Sequence, residues 1–301
     1  MSDPTHVSVL LEEVVEYLQP AENKVYIDGN LGLGGHSAAI MARSNGRAQL
    51  IGFDWDEEAQ RRAQQNLASF GEQIIFVRRN FAEVKEVLAE LDIQQVDGFL
   101  LDLGLSSLQL DESNRGFSFK RSEPLDMRMD SRVREDAADL VRDASEEELA
   151  DIFFHYGEER QARPIARAIC EMRGVTPIVT SDQLASVIYN AIPLRFHPKK
   201  IHVATRAFQG LRIAVNRELD NLATVLKDGV DVLAPGGRFC VISFHSLEDR
   251  LVKRSFKAAP ELKVLTTRPV VADADECKRN PRARSAKLRV AEKLSSGQSL
   301  P

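Results

Sequence analysis

Asp28-Gly29-Asn30-Leu31-Gly32-Leu33-Gly34-Gly35-His36-Ser37 follows the apolar run Val25-Tyr26-Ile27 and precedes Ala38-Ala39-Ile40-Met41-Ala42. That order predicts a strand, a glycine turn and a helix. Bare backbone and positive φ angles let a nucleotide-like ligand approach main-chain N–H groups at a helix N-terminus, so the stretch reads as a cofactor cradle. Downstream, the apolar run Gln49-Leu50-Ile51-Gly52-Phe53 ends in Asp54, 22 positions after Gly32. An acidic side chain about 20 residues beyond such glycines meets ribose hydroxyls. An ordinary tight turn between strand and helix explains the glycines alone; the pair of signals together is stronger than either.

Two cofactors suit this pattern. A nicotinamide dinucleotide wants G-x-G-x-x-G or its Ala variant, and Gly32 and Gly34 satisfy the first two places, but Ser37 stands where the third small apolar residue belongs. S-adenosylmethionine has no pyrophosphate. Its site needs a glycine turn for the amino acid end and a carboxylate for the ribose, without the third glycine.

The first hundred residues alternate short apolar strands with helical stretches: Val25 to Asp28, Gln49 to Asp54, Ile74 to Arg78 and Val96 to Asp102. Such alternation predicts an α/β fold with a parallel sheet and crossover helices. Ligands bind beyond the carboxyl ends of strands in these sheets, where Gly34, Asp54, Phe81 and Asp102 are expected to gather. The next clear strand, Arg238 to Phe244, lies more than a hundred residues further on, too far for a loop. The intervening sequence reads helical. Ser145-x-x-Glu148 is a capping-box pattern, Thr180-Ser181 precedes Leu184, Val187 and Ile188, and Pro164 blurs the start of a helix within Arg160 to Arg173. One helix is expected to lead back to the sheet, with Phe208, Leu211, Val215, Leu219, Leu222 and Leu226 as its apolar stripe. Residues Glu261 to Val271 and Ser285 to Glu292 read as closing strands with a hairpin-like antiparallel edge. The expected organisation is a sheet domain in two parts, 1–106 and 215–294, a helical substrate-recognition insertion over 107–214, and a frayed tail over 295–301.

The 301 residues carry a formal charge of −5, which argues against a surface devoted wholly to nucleic acid but leaves local basic patches open. One runs from Lys278 through Arg279, Arg282, Arg284, Lys287 and Arg289 to Lys293, with Glu292 its sole acid. A solvated face explains such a run about as well as RNA does. Cys170, Cys240 and Cys277 are widely spaced and form no C-x-x-C pair, so neither a disulfide framework nor a zinc site is expected. No leader pattern opens the sequence and no apolar run is long enough to span a bilayer; a cytoplasmic protein is the expectation.

Further segments carry chemistry. Asp102 begins Asp102-Leu103-Gly104-Leu105-Ser106-Ser107-Leu108-Gln109-Leu110-Asp111 at a strand end, where a carboxylate can anchor a cofactor; a turn with capping serines is the plain alternative. Arg115-Gly116-Phe117-Ser118-Phe119-Lys120-Arg121 and Pro124 to Asp130 interleave cations with aromatic and Met side chains. That suits an RNA strand, whose phosphates meet guanidinium groups while unpaired bases stack, and equally suits an irregular loop filling a gap with Phe117, Phe119, Met127 and Met129. Arg206 in His202-Val203-Ala204-Thr205-Arg206 and His245 in Ser243-Phe244-His245-Ser246-Leu247-Glu248-Asp249-Arg250 are further substrate candidates. A lone His is more often structural than catalytic, but a strand-end position favours His245.

Taken together, Gly32-x-Gly34-Gly35-His36-Ser37, Leu101-Asp102-Leu103-Gly104-x-Ser106-Ser107-x-Gln109-Leu110-Asp111, Arg115-Gly116-Phe117-Ser118-Phe119, Pro124-Leu125-Asp126-Met127-Arg128-Met129, Ser243 to Arg250 and Asn280-Pro281-Arg282-Ala283-Arg284-Ser285 closely resemble the RsmH (MraW) family. The resemblance covers about His6 to Lys293. It implies a class I, Rossmann-like methyltransferase sheet with an inserted helical domain. It also implies S-adenosylmethionine as cofactor and methylation of the N4 amino group of a decoding-centre cytosine in 16S ribosomal RNA or the small subunit. Carried over position by position, the cofactor contacts are Gly34, Gly35, His36, Asp54, Phe81, Asp102 and Gln109. Arg115, Phe117, Arg206, His245, Arg282 and Arg284 are the substrate candidates. No metal is required, and no proton acceptor is assigned by motif. Asn30, where the family usually has Thr, Val203, where it usually has Pro, and Gly210, inside an otherwise helical segment, depart from the pattern. Two other classes stay open at this point: a nicotinamide-dependent oxidoreductase and a noncatalytic RNA-binding ribosome factor.

Overall fold

In the computed structural model, which describes residues 8–105 and 114–295, the chain forms two compact units, residues 1–106 with 219–301 and residues 107–218. The first holds seven strands, β1 (Val25–Asp28), β2 (Gln49–Phe53), β3 (Ile74–Val77), β4 (Val96–Asp102), β5 (Leu233–Ser243), β6 (Leu262–Val264) and β7 (Lys287–Lys293). They form one sheet in the order β3-β2-β1-β4-β5-β7-β6. Strands β1 to β5 run parallel, and β7 lies antiparallel between β5 and β6. This is a mixed α/β sheet, parallel except at β7. Strand order reverses between β1 and β4, which opens a crevice beyond their carboxyl ends.

Successive side chains of a strand point to opposite faces, and both faces here are covered. Ile27, Ile51, Phe53, Phe99, Leu101, Phe239 and Val241 bury one face against the helices Val84–Glu90, Glu218–Val232 and Ser246–Ala258. Tyr26, Leu50, Leu100, Cys240 and Ile242 bury the other against Leu11–Leu18 and Gly35–Arg43. Phe99 and Phe239 stack across β4 and β5 with centroids 4.8 Å apart.

The closing region is shorter in strand than its apolar pattern predicts. After Val264 the chain leaves the sheet and returns only as a single bridge between Val270 and Leu288. Much of the basic run is occupied within this unit: Lys287 and Arg289 pair with Asp249 at 3.2 and 2.6 Å, and Lys278 with Asp275 at 2.8 Å. The Lys293 ammonium caps the carbonyls of Val230, Asp231 and Leu233.

The second unit is helical. Ser145 caps Glu146–Asp151 in a reciprocal capping box with Glu148, and Thr180 does the same for Ser181–Ala191 with Gln183. Pro164 sits in the first turn of Ala162–Arg173, where its missing N–H has no helical partner to lose. The expected single helix through Phe208 and Leu226 is instead two, Thr205–Asn216 and Glu218–Val232, because Arg217 adopts left-handed backbone (φ 50°, ψ 39°). A stripe of apolar residues cannot register such a break, since both helices bury their own part of it.

Gly210 also gains a reason. A Cβ there would lie 3.0 Å from the Ile152 carbonyl oxygen and 3.1 Å from the Gly157 nitrogen, so the helix Thr205–Asn216 packs backbone to backbone on the π-helical turn Ile152–Tyr156.

Candidate active site

Three strand ends build the site. The turn after β1 is fixed by main-chain bonds from Gly29 to Leu100 (2.8 Å), Leu31 to Phe53 (2.8 Å) and Gly34 to Leu31 (2.8 Å). Gly34 has φ +83° and is the N-cap of Gly35–Arg43. Having no side chain, it leaves the first N–H groups of that helix without a side-chain cap. A Cβ on Gly34 would also meet Leu67 Cδ1 at 2.7 Å.

Asp54, at the end of β2, accepts from the Gly32 N–H through Oδ2 and from the Asp56 N–H through Oδ1, both at 2.9 Å. Burial raises its pKa to about 7, against the pull of those two N–H donors. The acid that the 22-residue spacing singled out therefore holds the glycine turn itself.

Asp102, at the end of β4, has a buried Oδ1 with no hydrogen-bond partner among the described residues. Burial pushes its pKa up to about 6, partly opposed by His36. His36 is buried, and its Nε2 lies 2.9 Å from the Val9 carbonyl, so that nitrogen carries the donated proton. Its Nδ1 stands 3.7 Å from Asp102 Oδ2, too far for a direct bond. The neighbouring Leu10 N–H donates to Glu276 Oε1 at 2.8 Å.

Phe81 is buried in the same cluster as Ile27, Phe99 and Leu101. Gln109 lies outside the described residues.

Two residues of this site were not singled out by the spacing argument. Asp28, almost fully buried at the end of β1, accepts from the Ser37 hydroxyl at 2.7 Å and from the Asn30 N–H at 3.3 Å. Burial raises its pKa, with His36, Ser37 and Asn30 pulling it back. Ser37, which breaks the dinucleotide pattern, is thus the partner of a buried carboxylate. The strand-end rule that selects Asp54 and Asp102 applies equally to Asp28.

At the end of β5, His245 is the N-cap of Ser246–Ala258; its Nδ1 accepts from the Glu248 N–H at 3.4 Å. Its Nε2 lies 3.1 Å from Glu248 Oε1 but makes no aligned hydrogen bond. Glu248 Oε2 accepts from the N–H groups of Phe244 and His245 at 2.8 and 3.2 Å. Arg284 is exposed and has no acidic partner among the described residues, and Arg282 is half-buried. Both belong to the short turn Pro281–Ser285.

In the helical unit, Arg115 donates to the carbonyls of Arg128 and Met129 at 3.1 and 3.2 Å, with its guanidinium 5.5 Å from the Phe117 ring centroid. Phe117, Met127 and Met129 are buried, and Arg128 and Arg132 pair with Asp126 and Asp130. Arg206 is exposed and donates to the Glu158 carbonyl at 3.3 Å.

The profile of the MraW methylase family matches residues 3–294. The chain belongs to that family. The chain is 54% identical over 293 residues to the ribosomal RNA small subunit methyltransferase H of Desulfotalea psychrophila, covering 97% of this chain and 99% of that protein. It is 48% identical to the protein of the same name from Syntrophus aciditrophicus, over 96% and 98% of the two chains. A 50% identical relative of that name from Geobacter sulfurreducens is covered to 99%. An MraW methylase has no use for a nicotinamide, and a noncatalytic ribosome factor is equally set aside.

The residues fit S-adenosylmethionine. Gly34 leaves helix N–H groups for a carboxylate, Asp54 offers carboxylate oxygens for ribose hydroxyls, and Asp102 Oδ1 is a buried acceptor awaiting a donor.

Proposed function

We propose that this chain is an S-adenosylmethionine-dependent methyltransferase acting on the N4 amino group of a decoding-centre cytosine in 16S ribosomal RNA of the small subunit, in the cytoplasm. The observation that carries the cofactor reading is Asp102 Oδ1, which has no hydrogen-bond partner among the described residues, together with a helix start at Gly34 that has no side-chain cap. Family membership carries the substrate class. No helix of the described residues is long and apolar enough to cross a membrane.

Bound S-adenosylmethionine supplies a methyl group already activated on a sulfonium. The chain's contribution is then orientation and proton handling. Gly34, Gly35 and His36 hold the amino acid end, Asp54 the ribose, Phe81 the side of the adenine, and Asp102 with Gln109 complete the contacts. The cytosine amino lone pair is delocalised into the ring, so an acceptor near that nitrogen aids attack. Asp102 Oδ1, buried at the end of β4, is an acceptor that suits such a donor. Arg115, Phe117, Arg206, Arg282 and Arg284 serve the RNA in this reading.

The test is incubation with radiolabelled S-adenosylmethionine and small subunits from cells lacking the chain, followed by nucleoside mass spectrometry. N4-methylated cytidine is expected. Label in another nucleoside, or in none with folded protein, defeats the proposal.

A further inference from the structure

The helical unit carries a surface that the cofactor site does not use. Between Asp182 and Glu218 the sequence has no acidic residue and six cations, in a chain whose net charge is −5. At its centre is the segment 192–204, which follows the helix Ser181–Ala191. Its tip exposes Leu194 (73%), Phe196 (50%) and Ile201 (45%), with Tyr189 (46%) beside them. Lys199 and Lys200 are exposed and, among the described residues, have no acidic partner. The Arg195 guanidinium lies over the Phe196 ring, 4.8 Å from its centroid.

These rings are rooted. The buried Phe208 meets Phe119 edge-on at 5.0 Å, Phe119 meets His202 at 4.6 Å, and His202 stacks on Tyr189 at 6.4 Å. Tyr189 in turn meets His197 edge-on at 4.8 Å, and the His197 ring is fixed by a 2.8 Å bond to the Ile192 carbonyl. An aromatic ladder thus runs from the interior of the unit to a cationic tip.

Exposed apolar side chains of this size are costly in water unless something covers them. A protein partner would be matched by apolar area with interspersed charges of both signs. This tip has cations only, and the rings of Tyr189, His197 and His202 beside it are held in place. That combination matches single-stranded nucleic acid, whose phosphates meet the lysines while unpaired bases stack on held rings.

We propose that the surface formed by Tyr189, Phe196, Lys199, Lys200 and His202 binds single-stranded RNA flanking the methylated base. This rests on the rRNA reading above and names a contact surface distinct from Arg115, Phe117, Arg206, Arg282 and Arg284. Phe196 offers a stacking ring, and Lys199 and Lys200 neutralise two backbone phosphates.

The test is fluorescence anisotropy of the full chain with a labelled, cytosine-containing single-stranded RNA oligonucleotide across a salt series. Lys199→Ala with Lys200→Ala is expected to weaken binding and to flatten the slope of log K against log[salt] by about 1.4, two phosphates at about 0.7 each. Phe196→Ala is expected to weaken binding about tenfold with the slope unchanged. Lys227→Ala with Lys263→Ala, both exposed and far along the sequence, removes the same charge and is expected to leave RNA binding near wild type. S-adenosylmethionine affinity and the thermal midpoint should be unaltered in every variant.

Unchanged RNA affinity and slope in the folded Lys199/Lys200 variant overturns the proposal. So does a loss seen with intact small subunits but not with the oligonucleotide, which would make the surface a protein dock. Failure of the wild type to methylate small subunits would sink the enzymatic reading instead, and is scored in a separate assay.

Discussion

Replacing Ser37 with Ala removes a hydroxyl that donates to Asp28 Oδ2 at 2.7 Å, at a position with no solvent exposure. Water cannot take its place. A hydrogen bond to a charged buried group contributes about 1.5–3 kcal/mol, and one between neutral groups about 1 kcal/mol. The sign with pH follows from Asp28. Burial raises its carboxyl above the unfolded value of 3.8. A raised carboxyl contributes stability that is fully present below the unfolded pKa and is lost as pH rises through the folded pKa. Ser37 is one of the groups that pull the folded pKa down and so limit that loss. Ser37→Ala is therefore expected to cost about 1 kcal/mol at a pH where Asp28 is protonated and about 2 kcal/mol or more at one where it is ionised. For a unit of this size the larger figure is a fall in Tm of about 4–8 °C. Urea denaturation at the two pH values, with Ser37→Gly alongside, measures it. A cost that is absent, or equal at both pH values, would refute the pairing of Ser37 with an ionising Asp28. Because Asp28 Oδ1 also accepts from Asn30 in the glycine turn, cofactor affinity should fall with stability.

Asp54→Ala is expected to raise the Kd for S-adenosylmethionine at least about tenfold by calorimetry, since a charged hydrogen bond to ribose is lost. With its pKa at about 7, Asp54 accepts from ribose best once ionised, so wild-type affinity should strengthen as pH rises through neutrality and the variant should lose that part of the profile. Gly34→Ala puts a Cβ on left-handed backbone and against Leu67; a stability loss of about 1–2 kcal/mol and weaker cofactor binding are expected, measured by thermal shift with and without cofactor. Gly210→Ala gains about 1 kcal/mol of helix propensity but meets two backbone atoms that cannot rotate away, so a net loss of about 1 kcal/mol is expected in urea. Arg284→Ala should weaken RNA binding and flatten its salt slope by about 0.7 while S-adenosylmethionine affinity stays constant.

The sheet was legible because β1 to β4 are short apolar runs, three of which lead into the aspartates Asp28, Asp54 and Asp102, a local pattern set by burial on both faces. The helical insertion was legible through Ser145 and Thr180, whose capping boxes lie within four residues of sequence. Less was visible where a side chain's role depends on a distant partner. Lys287 and Arg289 read as free basic surface until Asp249 supplies their counter-charge, and Lys293 until three carbonyls do. Arg217 reads as one more helical position, since nothing local marks its left-handed turn. Gly210 reads as a defect because its reason, the backbone of 152–157, lies more than fifty residues away. In the candidate site, Asp54 and Asp102 stood out by position, whereas Ser37 looked like a mismatch because the glycine fingerprint has no place for a serine serving Asp28.

Val9 and Leu10 are consecutive, yet one bonds His36 beside the glycine turn and the other bonds Glu276, on the helix Ala274–Arg279 that leads to Arg282 and Arg284. A single peptide unit is therefore the rivet between two stretches more than two hundred residues apart in the chain. The same peptide unit thus steadies the imidazole beside the glycine turn and the short helix that precedes the arginine-bearing turn, so a change in the backbone at Val9 or Leu10 reaches both.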